Sequence, residues 1–202
     1  MGKHERIGVF GGTFDPIHTK HLEIARAALQ QARLDRVLFV VAARPPHKRE
    51  AMPTDPEDRF AMVEAAVAGE PAFEACRIEM DREGPSYSAD TLEELSRRYP
   101  DAQFWLIIGL DSLVDLPRWR APDRILALAR PLVVPRPGKW TVPAKLEGRF
   151  DWLDLPEADI SSTEARRRIS AGEPLADLLP ESVQRVIQQR GIYGAHSVHR
   201  TG

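Results

Sequence analysis

Cysteine is nearly absent: Cys76 stands alone in 202 residues, so no intramolecular disulfide can form and a reducing, cytoplasmic setting is expected. Net charge is almost absent too, at a formal -2, which leaves no global basic field for nucleic acid. No apolar run approaches the length needed to span a membrane. The charged start, residues 1–6, is followed by only four apolar-type residues, too few for a secretory leader. Gly2 is not read as a myristoylation site, because position 6 is Arg6 rather than Ser or Thr. Two nucleotide-binding fingerprints are missing as well. There is no G-x-x-x-x-G-K-[ST], and Gly8, Gly11 and Gly12 do not make G-x-G-x-x-G.

What is present is a globular composition, 43% hydrophobic and 29% charged, with enough apolar material for one core. Strand and helix signals alternate. Apolar runs at 7–10, 37–41, 73–78, 104–108 and 132–134 read as strands, with a short one near 152–153. Helices are expected after the first run, from Pro56 to about Ala68, from a Ser88 cap to about Arg98, from Pro122 to Ala129, from near Ser162, and from Pro180 to Arg190 with a stop at Gly191. Residues 136–148 read as an exposed loop. This alternation predicts an α/β fold: a Rossmann-like, doubly wound parallel sheet with helices on both faces and helices closing the chain. One domain over 1–194 is expected, with 195–202 as a mobile tail. His196 and His199 in that tail are read as solvated rather than as metal ligands.

Such a sheet binds ligands at the carboxyl ends of its strands, and five clusters fall there. The first is Gly11-Gly12-Thr13-Phe14-Asp15-Pro16-Ile17-His18-Thr19-Lys20-His21, at a strand-to-helix turn. Its glycines let backbone approach a ligand, and a helix start suits a phosphate. His18 and His21 share one helical face, so both imidazoles can reach one phosphate. The second is Arg44-Pro45-Pro46-His47-Lys48, where two prolines stiffen a loop and Lys48 is a point charge for a polyphosphate. The third is Gly84-Pro85-Ser86-Tyr87-Ser88-Ala89-Asp90-Thr91, a turn and helix start whose free N–H groups suit a carboxylate. The fourth pairs Gly109-Leu110-Asp111-Ser112-Leu113, whose acid suits ribose hydroxyls, with Trp119 eight residues on, a platform for a flat ring. Trp119 is expected at the surface because Arg118 and Arg120 flank it. The fifth is Ile160-Ser161-Ser162-Thr163-Glu164-Ala165-Arg166, hydroxyls at a helix start with an arginine on the first turn. Arg167 and Arg168 read as a solvated face.

In this order the motifs GGTFDPIH, PPHK, SYSADT, GLDSL with its later tryptophan, and ISSTEAR closely resemble the bacterial nicotinate-nucleotide adenylyltransferases, within the nucleotidyltransferase superfamily marked by H-x-G-H. The resemblance runs from about Ile7 to Tyr193. It implies that ATP and nicotinate mononucleotide give nicotinate adenine dinucleotide and pyrophosphate, with Mg2+, in NAD synthesis. It implies small-molecule partners, no nucleic acid and no membrane. Carried over by motif, His18 and His21 hold the ATP phosphates and the transition state, and Lys48 and Arg166 neutralise the triphosphate and leaving pyrophosphate. Backbone groups at Gly11, Gly12, Thr13 and Phe14 approach the phosphates, Gly109 and Asp111 meet the adenosine ribose, and Ser162 and Thr163 join the phosphate site. Ser88 and Trp119 receive the nicotinate, with preference for its carboxylate over an amide. The chain departs from the signature at Lys20, where the family has glycine. Lysine there is expected to crowd the adenosine or to swing to solvent. A sibling enzyme with another acceptor stays open, though SYSADT and Trp119 argue against it. A weakened or non-catalytic nucleotide binder, with Lys20 as the lesion, stays open too.

Overall fold

A computed structural model of the chain describes residues 4–45, 54–156 and 161–195. In chain order the elements are β1 (Arg6–Gly12), α1 (Thr19–Gln31), β2 (Arg36–Val41), α2 (Pro56–Val67), β3 (Phe73–Cys76), α3 (Ser88–Arg98), β4 (Gln103–Gly109), α4 (Leu110–Asp115), α5 (Pro122–Leu128), β5 (Ala129–Val134), β6 (Asp151–Trp152), α6 (Ser162–Ala171) and α7 (Glu181–Arg190). The sheet runs β3-β2-β1-β4-β5-β6, and every pairing is parallel. Strand order reverses between β1 and β4. That is the switch point at which a crevice opens beyond the carboxyl ends.

Both faces of the sheet are covered, so its central strands are apolar throughout while their residues alternate in direction. Phe10, Val37, Phe39, Val41 and Ile107 enter one core with α1, α2, α6 and α7. Ile7, Val9, Leu38, Val40, Leu106 and Ile108 enter the other with α3, α4 and α5. The α/β class and the doubly wound sheet predicted above are what the chain adopts.

Local chemistry accounts for the helix ends. Asp55 caps α2 by accepting the Glu57 N–H at 2.8 Å, with Pro56 as first helical residue. Ser161 caps α6 by accepting from Glu164 N at 3.2 Å. Gly172 and Gly191 end α6 and α7 in the left-handed conformation. Four readings are corrected. Ser88 is not a cap: Tyr87 holds that position and Ser88 is the first helical residue. The third strand stops at Cys76, because the Arg77 carbonyl turns to accept from Met80 N at 2.6 Å and Asp81 N at 3.0 Å. Ala129 leaves α5 and opens β5, pairing with Phe104. The last short strand is Asp151–Trp152, one residue earlier than expected.

Candidate active site

The turn after β1 is held from three sides. Phe14 takes a positive φ of 49° and buries its ring edge-on against Phe10, 5.7 Å between centroids. Arg59 of α2 is fully buried. It donates to the carbonyls of Thr13 at 2.7 Å, Ala42 at 2.8 Å and Thr54 at 2.8 Å. From α6, Arg166 donates to Asp15 O at 2.6 Å and the Ser162 hydroxyl to Pro16 O at 3.0 Å. The Tyr193 hydroxyl reaches the Asp15 carboxylate at 2.5 Å. The carbonyls of Thr13, Asp15 and Pro16 are therefore occupied by protein donors, which stops them from repelling an anion beside the turn.

The paired histidines sit where that turn enters α1. His18 is the extended residue preceding the helix. Its ring stacks on that of His21, with 3.7 Å between centroids and 24° between planes. The His18 N–H donates to His21 Nδ1 at 3.2 Å, so His21 carries its proton on Nε2. His18 Nδ1 is buried and has no hydrogen-bond partner among the described residues. Desolvation, and then the charge of Arg136, lower the His18 pKa to about 4. Desolvation, then His18, then Arg136 hold His21 well below its ordinary value. Near pH 7 both rings are neutral N–H donors, not cations.

Around them opens a cleft of about 490 Å³. Gly11, Gly12, Thr13, His18 and His21 line it from β1 and α1. Gly109 and Asp111 line it from the end of β4, Ser88 and Trp119 from α3 and the turn after α4, and Ser162 from the start of α6. Four stretches distant in sequence, 11–21, 88, 109–119 and 162, thus meet at one end of the sheet. A Cβ on Gly109 would collide with the Asp111 carboxylate and stand 3.2 Å from Arg136 Nε. A Cβ on Gly11 would meet nothing within 4 Å. Trp119 is half-buried: it packs on the second core and lines the cleft, and its flanking arginines do not line it. They are engaged elsewhere: Arg118 with Asp115 at 3.4 Å, and Arg120 with Asp90 at 3.2 Å and over the Tyr87 ring at 4.8 Å.

Among the described residues, the side chains of Phe14, Thr163 and Arg166 do not line the cleft. The Phe14 side chain belongs to the core at 2% exposure. Thr163 is exposed, and its hydroxyl accepts from Arg166 at 3.3 Å. Arg166 spends its guanidinium on that hydroxyl and on Asp15 O. Lys48 lies outside the described residues, as do His47, His196 and His199. Lys20 does not swing to solvent. It is buried at 7% exposure along the cleft wall, and its ammonium donates to Pro156 O at 3.1 Å and pairs with Glu23 at 3.4 Å.

Three residues at or behind the cleft were not read from sequence. Arg136 lines the cleft, is exposed and approaches Asp111 at 3.6 Å. Its position two residues past β5, at the same sheet end as the other motifs, was a usable signal. Arg59 was legible as a charge on the apolar face of α2, in register with Met62, Val63 and Ala66. Glu79 gave no signal, because a buried acid in a loop has no sequence periodicity. Burial raises its pKa, opposed by hydroxyls of Thr91 and Ser86 and the charge of Arg82. Among the described residues no three His, Cys, Asp or Glu side chains are grouped to hold a metal. No helix among them is long and apolar enough to cross a membrane.

The cytidylyltransferase-like family pattern matches residues 9–168. A probable nicotinate-nucleotide adenylyltransferase of Gloeobacter violaceus is 43% identical over 94% of this chain and 96% of its own. One of Thermus thermophilus is 44% identical over 93% of this chain and 99% of its own. Among solved structures, a Plasmodium falciparum nicotinic acid mononucleotide adenylyltransferase complexed with NaAD superposes with a TM-score of 0.77. It covers 96% of this chain and 99% of its own, at 17% identity, a likeness of fold.

Proposed function

The chain belongs to the cytidylyltransferase-like family, among the nicotinate-nucleotide adenylyltransferases, and we propose that it transfers the adenylyl group of ATP to nicotinate mononucleotide. The products are nicotinate adenine dinucleotide and pyrophosphate, and the reaction is a step of NAD biosynthesis. The observation that carries this reading is a single cleft lined by the stacked His18–His21 pair, by Gly109 and Asp111, and by Ser88 and Trp119.

An oxygen of the acceptor's 5′-phosphate attacks the α-phosphorus of ATP. The new P–O bond forms as the bond from the α-phosphorus to the bridging β-oxygen breaks, and pyrophosphate leaves with that electron pair. No side chain is required to bond to the substrate. Catalysis is then positioning and charge stabilisation. His18 and His21 supply neutral N–H donors to the phosphates, helped by the N–H groups at the start of α1 and the backbone of Gly11, Gly12, Thr13 and Phe14. Positive charge comes from Arg136 at the cleft and from Lys48. Arg166, assigned to the triphosphate on sequence, is better suited to holding the turn through Asp15 O, with Thr163 and Ser162 supporting it. Asp111 accepts from ribose hydroxyls, and Gly109 leaves room for its carboxylate. Ser88 and Trp119 take the acceptor ring.

The family's reaction uses a divalent cation. Mg2+ would enter as part of the ATP complex, where it would offset phosphate charge. The lone cysteine and the small polar substrates suit the cytoplasm. We read 1–194 as one nucleotidyltransferase domain. The test is product identification by mass after incubation with ATP, Mg2+ and, separately, nicotinate mononucleotide, nicotinamide mononucleotide and phosphopantetheine. The dinucleotide of nicotinate is the expected main product, and adenylylation of phosphopantetheine alone would overturn the reading.

A further inference from the structure

Glu79 lies three residues beyond β3 in a loop, is buried, and has no task in the reaction above. It lines the same cleft as Ser86 and Ser88. Its carboxylate accepts the Thr91 hydroxyl at 2.6 Å, and the Ser86 hydroxyl beside it favours its charged form. Ser86 Oγ in turn accepts the Arg44 N–H at 3.2 Å, and the Ser86 N–H donates to Arg44 O at 3.1 Å. Thr91 Oγ1 also receives Arg82 Nη2 at 3.2 Å, and Arg82 pairs with Glu94 at 3.3 Å. One buried acid thus joins the loop after β2, the turn before α3 and the first turns of α3 itself. Ser88 stands between the two hydroxyls that the acid holds, two residues from Ser86 and three from Thr91. An apolar residue would fill the same space without the penalty of burying an acid. The acid instead fixes the direction of the Thr91 hydroxyl and attracts that of Ser86, and through them holds the chain between.

We propose that Glu79 is a positioning residue that sets acceptor specificity: it holds the segment from Ser86 to Thr91 so that Ser88 and the free N–H groups at the start of α3 meet the carboxylate of the acceptor ring. This rests on the acceptor named under the proposed function.

The test is steady-state pyrophosphate release by the unsubstituted chain and by Glu79→Ala, Glu79→Gln and Thr91→Val, with ATP and nicotinate mononucleotide varied separately. Glu79→Ala is expected to raise KM for the mononucleotide about tenfold or more while KM for ATP moves less than about twofold. It also narrows the preference for nicotinate over nicotinamide mononucleotide. Glu79→Gln, whose amide oxygen still accepts a hydroxyl, recovers most of the loss. Thr91→Val shows the same selective rise in smaller measure, and combined with Glu79→Ala it adds little. Should Glu79→Ala fail to fold, Thr91→Val carries the test. A joint rise of both KM values, or a lowered Tm with acceptor KM unchanged, overturns the proposal alone. Absence of pyrophosphate release by the unsubstituted chain with either mononucleotide overturns the acceptor reading, and the proposal with it.

Discussion

His18 and His21 stay neutral because their rings are desolvated against each other and Arg136 adds a like charge nearby. In the unfolded chain each takes a proton near the ordinary imidazole value, about 6.5. Their native-state pKa is depressed, so their contribution to stability is complete above that value and is lost as pH falls from there through about 4 for His18. Denaturant midpoints measured between pH 7 and pH 4 are expected to fall over that window, and in His18→Asn the fall is shallower. A bound triphosphate acts oppositely on the rings, since nearby negative charge favours imidazolium. ATP binding is therefore expected to take up protons increasingly as pH falls below neutral. Calorimetry in buffers of different ionisation enthalpy reads this directly, and uptake that stays at zero would remove the histidines from the phosphate site. Two substitutions probe the cleft wall. Gly11→Ala has open space for its methyl group, so Tm holds while KM for ATP rises roughly tenfold, because small misplacements of reacting groups are costly. Lys20→Gly forfeits up to about 1 kcal/mol of helix propensity and the tether to Pro156 O. Its kcat/KM for ATP is expected unchanged or higher. A clear fall would show that Lys20 takes part in binding.

At the level of elements, the signals that are local in sequence were legible. The apolar runs of β1, β2 and β4 are buried strands, Asp55-Pro56 opens α2, and Gly191 closes α7. Elements set by tertiary neighbours were not. α4 spans only Leu110–Asp115 directly off β4, too short for a helical period to register. Tyr87 rather than Ser88 precedes α3, and the Ser86 hydroxyl one residue earlier accepts the Arg44 N–H. The clearest element-scale test concerns the way α2 holds the turn after β1. Arg59→Met leaves the carbonyls of Thr13, Ala42 and Thr54 without their donor. A loss of roughly 3–9 kcal/mol is expected, since each of the three buried unsatisfied groups costs about 1–3. Urea unfolding checks it, with the midpoint lowered and the slope unchanged. A loss below about 1 kcal/mol would mean that the turn holds itself.

At the scale of the whole molecule, a six-stranded parallel sheet whose order reverses between β1 and β4 brings its motifs to one cleft. Because each motif follows a strand, their convergence was readable from sequence with no knowledge of contacts. The long-range ties were not readable. Lys20 reaches Pro156 across 136 residues and Arg166 reaches Asp15 across 151, and no local signal in the sequence announces such pairs. In the fold Arg166 holds the turn through Asp15 O, and Lys20 forms part of the cleft wall. The central claim is that this cleft joins an adenylyl group to an acceptor whose ring carries a carboxylate. It is tested most directly by pyrophosphate release with ATP and Mg2+, comparing kcat/KM for nicotinate and nicotinamide mononucleotides. The account predicts release with the nicotinate form and at least about a tenfold lower kcat/KM with the nicotinamide form, the equivalent of one lost charge-assisted hydrogen bond. Release with neither, or equal use of both, would contradict it.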